Sequence, residues 1–298
     1  MDNVSDHRTP WSAPAPPPAG LGSISVLGAG WLGLALAHYL RAQGYAVHAS
    51  RTTEAGVAEL AGLGLNAFQL VLDAATALPD GPFWHSPTLV VTVPPQRGRT
   101  AAEQLAQYAP LIPRLRESGV RHVLYISSTS VYGEHNQVAT EADPVAPVRA
   151  GGHIVYQLEQ LLRGEPAFQT TVLRFGGLIG YDRLPYSGTA IVGRNRALDS
   201  PMNVIHRDDC VRICGEIVRQ QAWGQVFNAC ADEHPIRRAY YAAAALAQGF
   251  ALPDLGLGPA QPLPYKVVSS EKLKAALGYQ FLYPNPLTLF QELARASN

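Results

Sequence analysis

SISVLGAGWLGLALAHYLRAQGY, residues 23–45, joins a short apolar run to three glycines and then to an amphipathic stretch that stops at Gly44. Ser23–Leu27 reads as a buried strand, and Gly28, Gly30 and Gly33 follow it in GxGxxG spacing. The first glycine permits a tight turn, the second lets backbone approach a ligand, and the third lets the following helix pack closely on the strand. That helix opens near Trp31, where its free N–H groups and the positive end of its dipole favour phosphate. The spacing alone occurs in many glycine-rich turns. Here strand, turn, helix and second strand arrive in βαβ order, which predicts a dinucleotide held by Gly28, Gly30, Trp31, Leu32 and Gly33.

Working outward, the same alternation continues. Candidate strands are 23–27, 45–50, 67–72, 88–93, 122–127, 170–175 and 225–230, most of them continuous apolar runs of the kind covered on both faces. Helical patterns lie at about 31–43, 54–63, 101–118, 152–163 and 208–220. Together they predict an α/β fold: a Rossmann-type doubly wound parallel sheet with a small C-terminal portion covering the substrate. Residues 23–176 and about 203–232 would form the dinucleotide-binding domain, with about 177–202 and 233–298 as the smaller portion. Residues 1–22, with PWSAPAPPPAG, read as a disordered proline-rich tail.

Composition narrows the partners. The 298 residues carry 23 basic and 23 acidic side chains, and no basic run supplies the footprint that nucleic acid or an anionic membrane needs. No long apolar stretch or secretory pattern is present, and three cysteines are too few for a disulfide framework, which predicts a cytoplasmic protein. The expected partner is a small-molecule substrate, with a monomer or homodimer as the assembly.

The end of the second strand bears on the cofactor. An NAD-binding chain places a carboxylate there for the ribose 2′-hydroxyl. This chain has Ser50, Arg51 and Thr52, and a guanidinium with neighbouring hydroxyls suits a 2′-phosphate, so NADP(H) is expected in preference to NAD(H). Asp73 closes the third strand and either caps a turn or meets the adenine amine. Thr92, Val93 and Pro94 end the fourth strand and are expected to border the cofactor.

HVLYISSTSVYGE (122–134) resembles the serine-loop segment of extended short-chain dehydrogenases/reductases, and TEADPVAP (140–147), VLRFGGLIG (172–180), NVIHRDDCV (203–211) and QVFNAC (225–230) match in order. The resemblance places Ser128 at the family's catalytic Ser/Thr. It also implies hydride transfer to or from a nicotinamide on sugar-nucleotide-type substrates. The family's Tyr-x-x-x-Lys pair is missing, because no lysine precedes Lys266. In this the chain resembles an atypical subgroup of the NAD-dependent epimerase/dehydratase family that lacks the pair. Aligning Glu159 with the family's glutamate puts Gly151 and Val155 at the two positions. Counting from Ser128 selects His153 and Gln157 instead, and Tyr156 is the one nearby phenol. The registers stay open at this level, with His153 and Tyr156 as candidate replacement acids.

His206, Cys210 and Cys214 share a four-residue spacing, but a fourth ligand is absent and small thiols are common in cores. Tyr181, Arg183, Tyr186 and Arg194 fall where the family builds its substrate pocket. Two functions follow: an oxidoreductase or epimerase using Ser128, or a non-catalytic NADP(H)-binding sensor.

Overall fold

The structure is a computed structural model describing residues 22–96, 98–184, 198–251 and 263–296. The tail predicted at 1–22 lies, but for Gly22, outside the described residues, as do Tyr186 and Arg194. In chain order the first half contains β1 (Ser23–Leu27), α1 (Trp31–Ala42), β2 (Ala46–Arg51), α2 (Glu54–Gly62), β3 (Asn66–Gln69), β4 (Thr88–Val91), α3 (Ala101–Tyr108), α4 (Leu111–Arg116) and β5 (His122–Ser128). There follow β6 (Gln137–Ala139), α5 (Ala150–Arg163), β7 (Gln169–Phe175), β8 (Gly177–Ile179), β9 (Val204–His206), α6 (Arg207–Arg219) and β10 (Val226–Ala229). The chain ends with α7 (Arg237–Ala247), β11 (Lys266–Val268), α8 (Glu271–Leu277) and α9 (Thr288–Ala296).

Seven strands form one parallel sheet in the order β10-β7-β5-β4-β1-β2-β3, the doubly wound α/β architecture that the alternation predicts. The winding reverses between β1 and β4, so the crevice for a ligand must open above the carboxyl ends of those two strands. Leu32, Leu36, Leu40, Ile213 and Ile217 of α1 and α6 cover one face. Tyr108, Leu115, Ile154, Leu158 and Leu162 cover the other. A third cluster, with Met202, Val204, Tyr240, Tyr241 and Phe290, holds the C-terminal portion together.

Two local expectations differ from the fold. The helix expected over 101–118 is two, α3 and α4, parted at Ala109–Pro110 because Pro110 has no N–H to continue the ladder. The strand expected over 67–72 pairs only at Asn66–Gln69, since β3 is the edge strand and β2 ends at Arg51. Short β6 and β11 pair in parallel beside the main sheet and tie residue 266 to the segment after the serine loop. Among the described residues no helix is long and apolar enough to cross a membrane.

Candidate active site

The glycine turn after β1 is built as its spacing requires. Gly28 sits at φ +94°, where a side chain is strained, and a Cβ there would come within 2.7 Å of Val93 Cγ2. A Cβ on Gly33 would lie 2.5 Å from the Gly28 carbonyl oxygen and 2.7 Å from Thr92 Oγ1, so helix and turn touch through bare backbone. A Cβ on Gly30 would meet only the Gly28 oxygen, at 3.9 Å, and otherwise faces open space. That space, over the uncapped first turn of α1, is the cradle a diphosphate needs, so the residues present fit a dinucleotide.

Two hydroxyls brace this turn. Ser50 Oγ accepts from the Gly28 amide at 3.0 Å, and Thr92 Oγ1 donates to the Gly28 carbonyl at 2.6 Å. Ser50 and Thr92 therefore brace the turn by fixing the amide and the carbonyl of one residue, Gly28.

A cleft of about 520 Å³ runs from this turn to the serine loop. Gly28, Gly30, Trp31, Leu32, Gly33, Ser50, Arg51, Thr52, Thr92, Val93 and Pro94 line it at one end, and Ser128, Val155 and Gly176 at the other. A smaller hollow of about 230 Å³ continues past Arg51 to Asp73 and shares Gly28, Ser50 and Val93 with the cleft. Asp73 Oδ1 accepts from the Ala75 amide at 3.1 Å, so it caps a turn while bordering that hollow. Arg51 is 28 % exposed, with one guanidinium nitrogen 3.5 Å from Glu59 Oε2.

Ser128 ends β5, half-buried. Its Oγ accepts from the Ser130 amide at 3.1 Å, capping the short turn Thr129–Val131 and leaving its own proton free to donate to a ligand. A Cβ on Gly152 would come within 2.3 Å of the Ser130 carbonyl oxygen, so this glycine lets α5 seat against the serine turn. A Cβ on Gly151 would meet nothing within 4 Å.

The rotation of α5 is set by a buried ion pair. Glu159 accepts from Arg174 Nε at 3.0 Å and Nη2 at 2.6 Å, and from Ser127 Oγ at 2.5 Å. Arg174 Nη1 donates to the Tyr132 hydroxyl at 2.7 Å, which donates onward to Asn228 Oδ1 at 2.8 Å. Burial opposes the charge on Arg174, yet its hydrogen bonds to Glu159 and that carboxylate's charge outweigh it and raise its pKa. With Glu159 facing the sheet, the residue one turn earlier, Val155, faces the cleft. His153 is exposed, and Tyr156 is packed with Val131, Tyr132, Val155 and Cys230; neither is among the residues lining the cleft.

Sequence reasoning did not single out Arg174, Tyr132 or Asn228 as parts of this network. A lone arginine inside the apolar run VLRF was the available signal, because a charge buried in a central strand requires a partner. The other sequence-marked groups are structural in place: Cys210 and Cys214 are fully buried in the core, and His206 Nδ1 accepts from the Asp208 amide at 3.2 Å.

Known proteins resemble the chain over most of its length. The Escherichia coli (strain K12) protein YeeZ is 29 % identical over 286 residues, covering 89 % of this chain and 98 % of YeeZ. A conserved protein of unknown function from Silicibacter pomeroyi has the same fold, with TM-score 0.72 and 23 % identity over 93 % of this chain and 99 % of that one. So does a short-chain dehydrogenase/reductase superfamily protein from Agrobacterium tumefaciens solved with bound NAD, with TM-score 0.73 and 19 % identity over 92 % and 97 %. The NAD dependent epimerase/dehydratase family model matches residues 24–230, which contain the glycine turn, the serine loop and both halves of the buried ion pair, and the chain belongs to that family.

Proposed function

We propose that this chain is an NADP(H)-binding oxidoreductase or epimerase of its family that works without the Tyr-x-x-x-Lys pair on the carbonyl of a small, sugar-nucleotide-like molecule. The observation that carries the reading is one cleft with Arg51 and the open Gly30 cradle at one end and the Ser128 hydroxyl at the other. A nicotinamide bound there would supply or accept hydride. Arg51 would meet the 2′-phosphate through charge-assisted hydrogen bonds, which a carboxylate in its place would repel. Ser128, its oxygen already held by the Ser130 amide, donates its proton to the substrate oxygen and fixes the reacting carbon in place. Val155 gives that end of the cleft an apolar wall.

A second reading, an NADP(H)-binding sensor without turnover, is favoured by Gly151 and Val155 at the positions that Glu159 would align with the family's proton-relay pair. Calorimetric titration separates the alternatives. NADPH should bind more tightly than NADH by about 1–3 kcal/mol, and Arg51→Ala should remove the preference. Against a panel of nucleotide sugars and small ketones, Ser128→Ala should lower kcat and leave NADPH affinity unchanged. Equal affinity for the two cofactors refutes the NADP assignment. NADPH binding with no turnover by the wild type on any panel member gives the sensor reading its place.

A further inference from the structure

We propose that Arg183 grips the diphosphate of the bound dinucleotide from the wall of the cleft facing the glycine turn, an inference that rests on the dinucleotide reading above. Arg183 lines the same cleft as Gly28, Gly30 and Trp31 although it comes from far along the chain. Its turn is pinned to the first residue of α1. Trp31 Nε1 donates to Asp182 Oδ1 at 2.9 Å, and Gly180 has no side chain because a Cβ there would sit 2.9 Å from the indole ring. Gly180 and Arg183 exchange backbone hydrogen bonds at 3.3 and 3.1 Å, which closes the turn.

This clasp puts the Arg183 guanidinium carbon 5.0 Å from the centre of the Trp31 ring. Arg207 lies over the same ring at 4.9 Å but is paired with Asp182 at 3.5 Å and is not among the cleft-lining residues. Arg183 has no carboxylate within ion-pair distance among the described residues and is exposed. Its charge is thus held by an aromatic face, beside the open cradle of Gly30 and the N–H groups of α1, with no carboxylate partner among the described residues. A diphosphate in that cradle brings two negative charges that the glycine turn meets only with backbone dipoles. A planar guanidinium that donates two parallel hydrogen bonds is the side chain suited to complete the site.

The test compares wild type with Arg183→Gln by titration with NADPH, ADP-ribose and 2′-AMP at low and high salt. NADPH and ADP-ribose, which contain the diphosphate, should bind at least about tenfold more weakly to the variant at low salt. 2′-AMP, which lacks it, should bind equally to both. Arg183→Lys should recover part of the affinity, and the unliganded melting temperature should not move. Loss of 2′-AMP binding to the same extent, or no loss for any ligand, overturns the proposal. So does a variant that keeps NADPH affinity but loses UDP-glucose when NADPH is saturating, since the diphosphate would then be the substrate's. Wild type that binds neither NADPH nor NADH overturns the dinucleotide reading itself, and the role of Arg183 with it.

Discussion

Replacing Glu159 by glutamine should expose how much of the serine end of the cleft depends on one buried pair. The carboxylate is fully buried and Arg174 is 3 % exposed, so neither charge has water to turn to. Two guanidinium hydrogen bonds and the Ser127 hydroxyl converge on its two oxygens. Glutamine keeps the shape but presents an N–H to a donor and leaves the Arg174 charge uncompensated in the core. Breaking a buried pair from one side costs about 3–5 kcal/mol, a large part of the roughly 5–15 kcal/mol that holds a domain together. For a chain of this length that is a fall of roughly 6–10 °C in Tm. Thermal melts and denaturant midpoints measure it. The double variant Glu159→Leu with Arg174→Met removes both charges and should recover at least half of the loss, because the desolvation cost leaves with the ions. A single-variant loss under about 1 kcal/mol, or a double variant no better than the single, would show that the pair does not hold α5 against β7.

The remaining predictions concern the helix cap and the glycines. Burial and, next, the nearby charge of Arg207 lower the His206 pKa from 6.5 to about 3, so the folded protein keeps it neutral while the unfolded chain protonates it below 6.5. Its contribution to stability is therefore complete above pH 6.5 and lost as pH falls towards 3. His206→Asn, which can still cap α6, should flatten the acid side of the stability curve by about 1 kcal/mol per pH unit between pH 6 and 4. Urea midpoints across that range check it, and parallel curves would refute it. Gly33→Ala should abolish NADPH binding or cost about 1–3 kcal/mol, because a backbone carbonyl 2.5 Å away cannot yield. Gly151→Ala, with open space around it, should be neutral or stabilise α5 by up to about 1 kcal/mol in the same melts.

What the sequence made legible is the half of the site built from backbone. Gly28 and Gly33 announce the turn because a positive φ and a close backbone contact require them, Gly30 because its bare backbone leaves the cradle open, and the alternation of runs announces the sheet. Ser128 was legible by another route, the resemblance of HVLYISSTSVYGE to the family's serine loop, and the structure sets it at the end of a strand. The rotation of α5 was not legible. Glu159 looks like any solvated glutamate on an amphipathic helix until Arg174 is seen across from it, and the two lie on different elements. The break at Pro110 was available in the sequence but outweighed by the apolar period on both sides of it.

The buried pair links that missed detail to the chemistry. A helix presents one side chain per turn to a cleft, so fixing one position fixes those a turn away. With Glu159 locked on Arg174 and Ser127, α5 turns Val155 into the cleft, and no nearby rotation of the helix could bring a lysine there, because α5 contains none. Proton transfer by a positioned side chain is typically worth 10²–10⁴-fold, and at the serine end of the cleft the Ser128 hydroxyl accepts from the Ser130 amide and keeps a proton to donate. Turnover would then be slow on unactivated carbonyls and would depend on how well the substrate itself is held. On the proposed reading, the grip on the cofactor by Arg51, Arg183 and the braced glycine turn would have to do more here than in a relative that carries the relay. For that reason affinity measurements test this site more sharply than rates do.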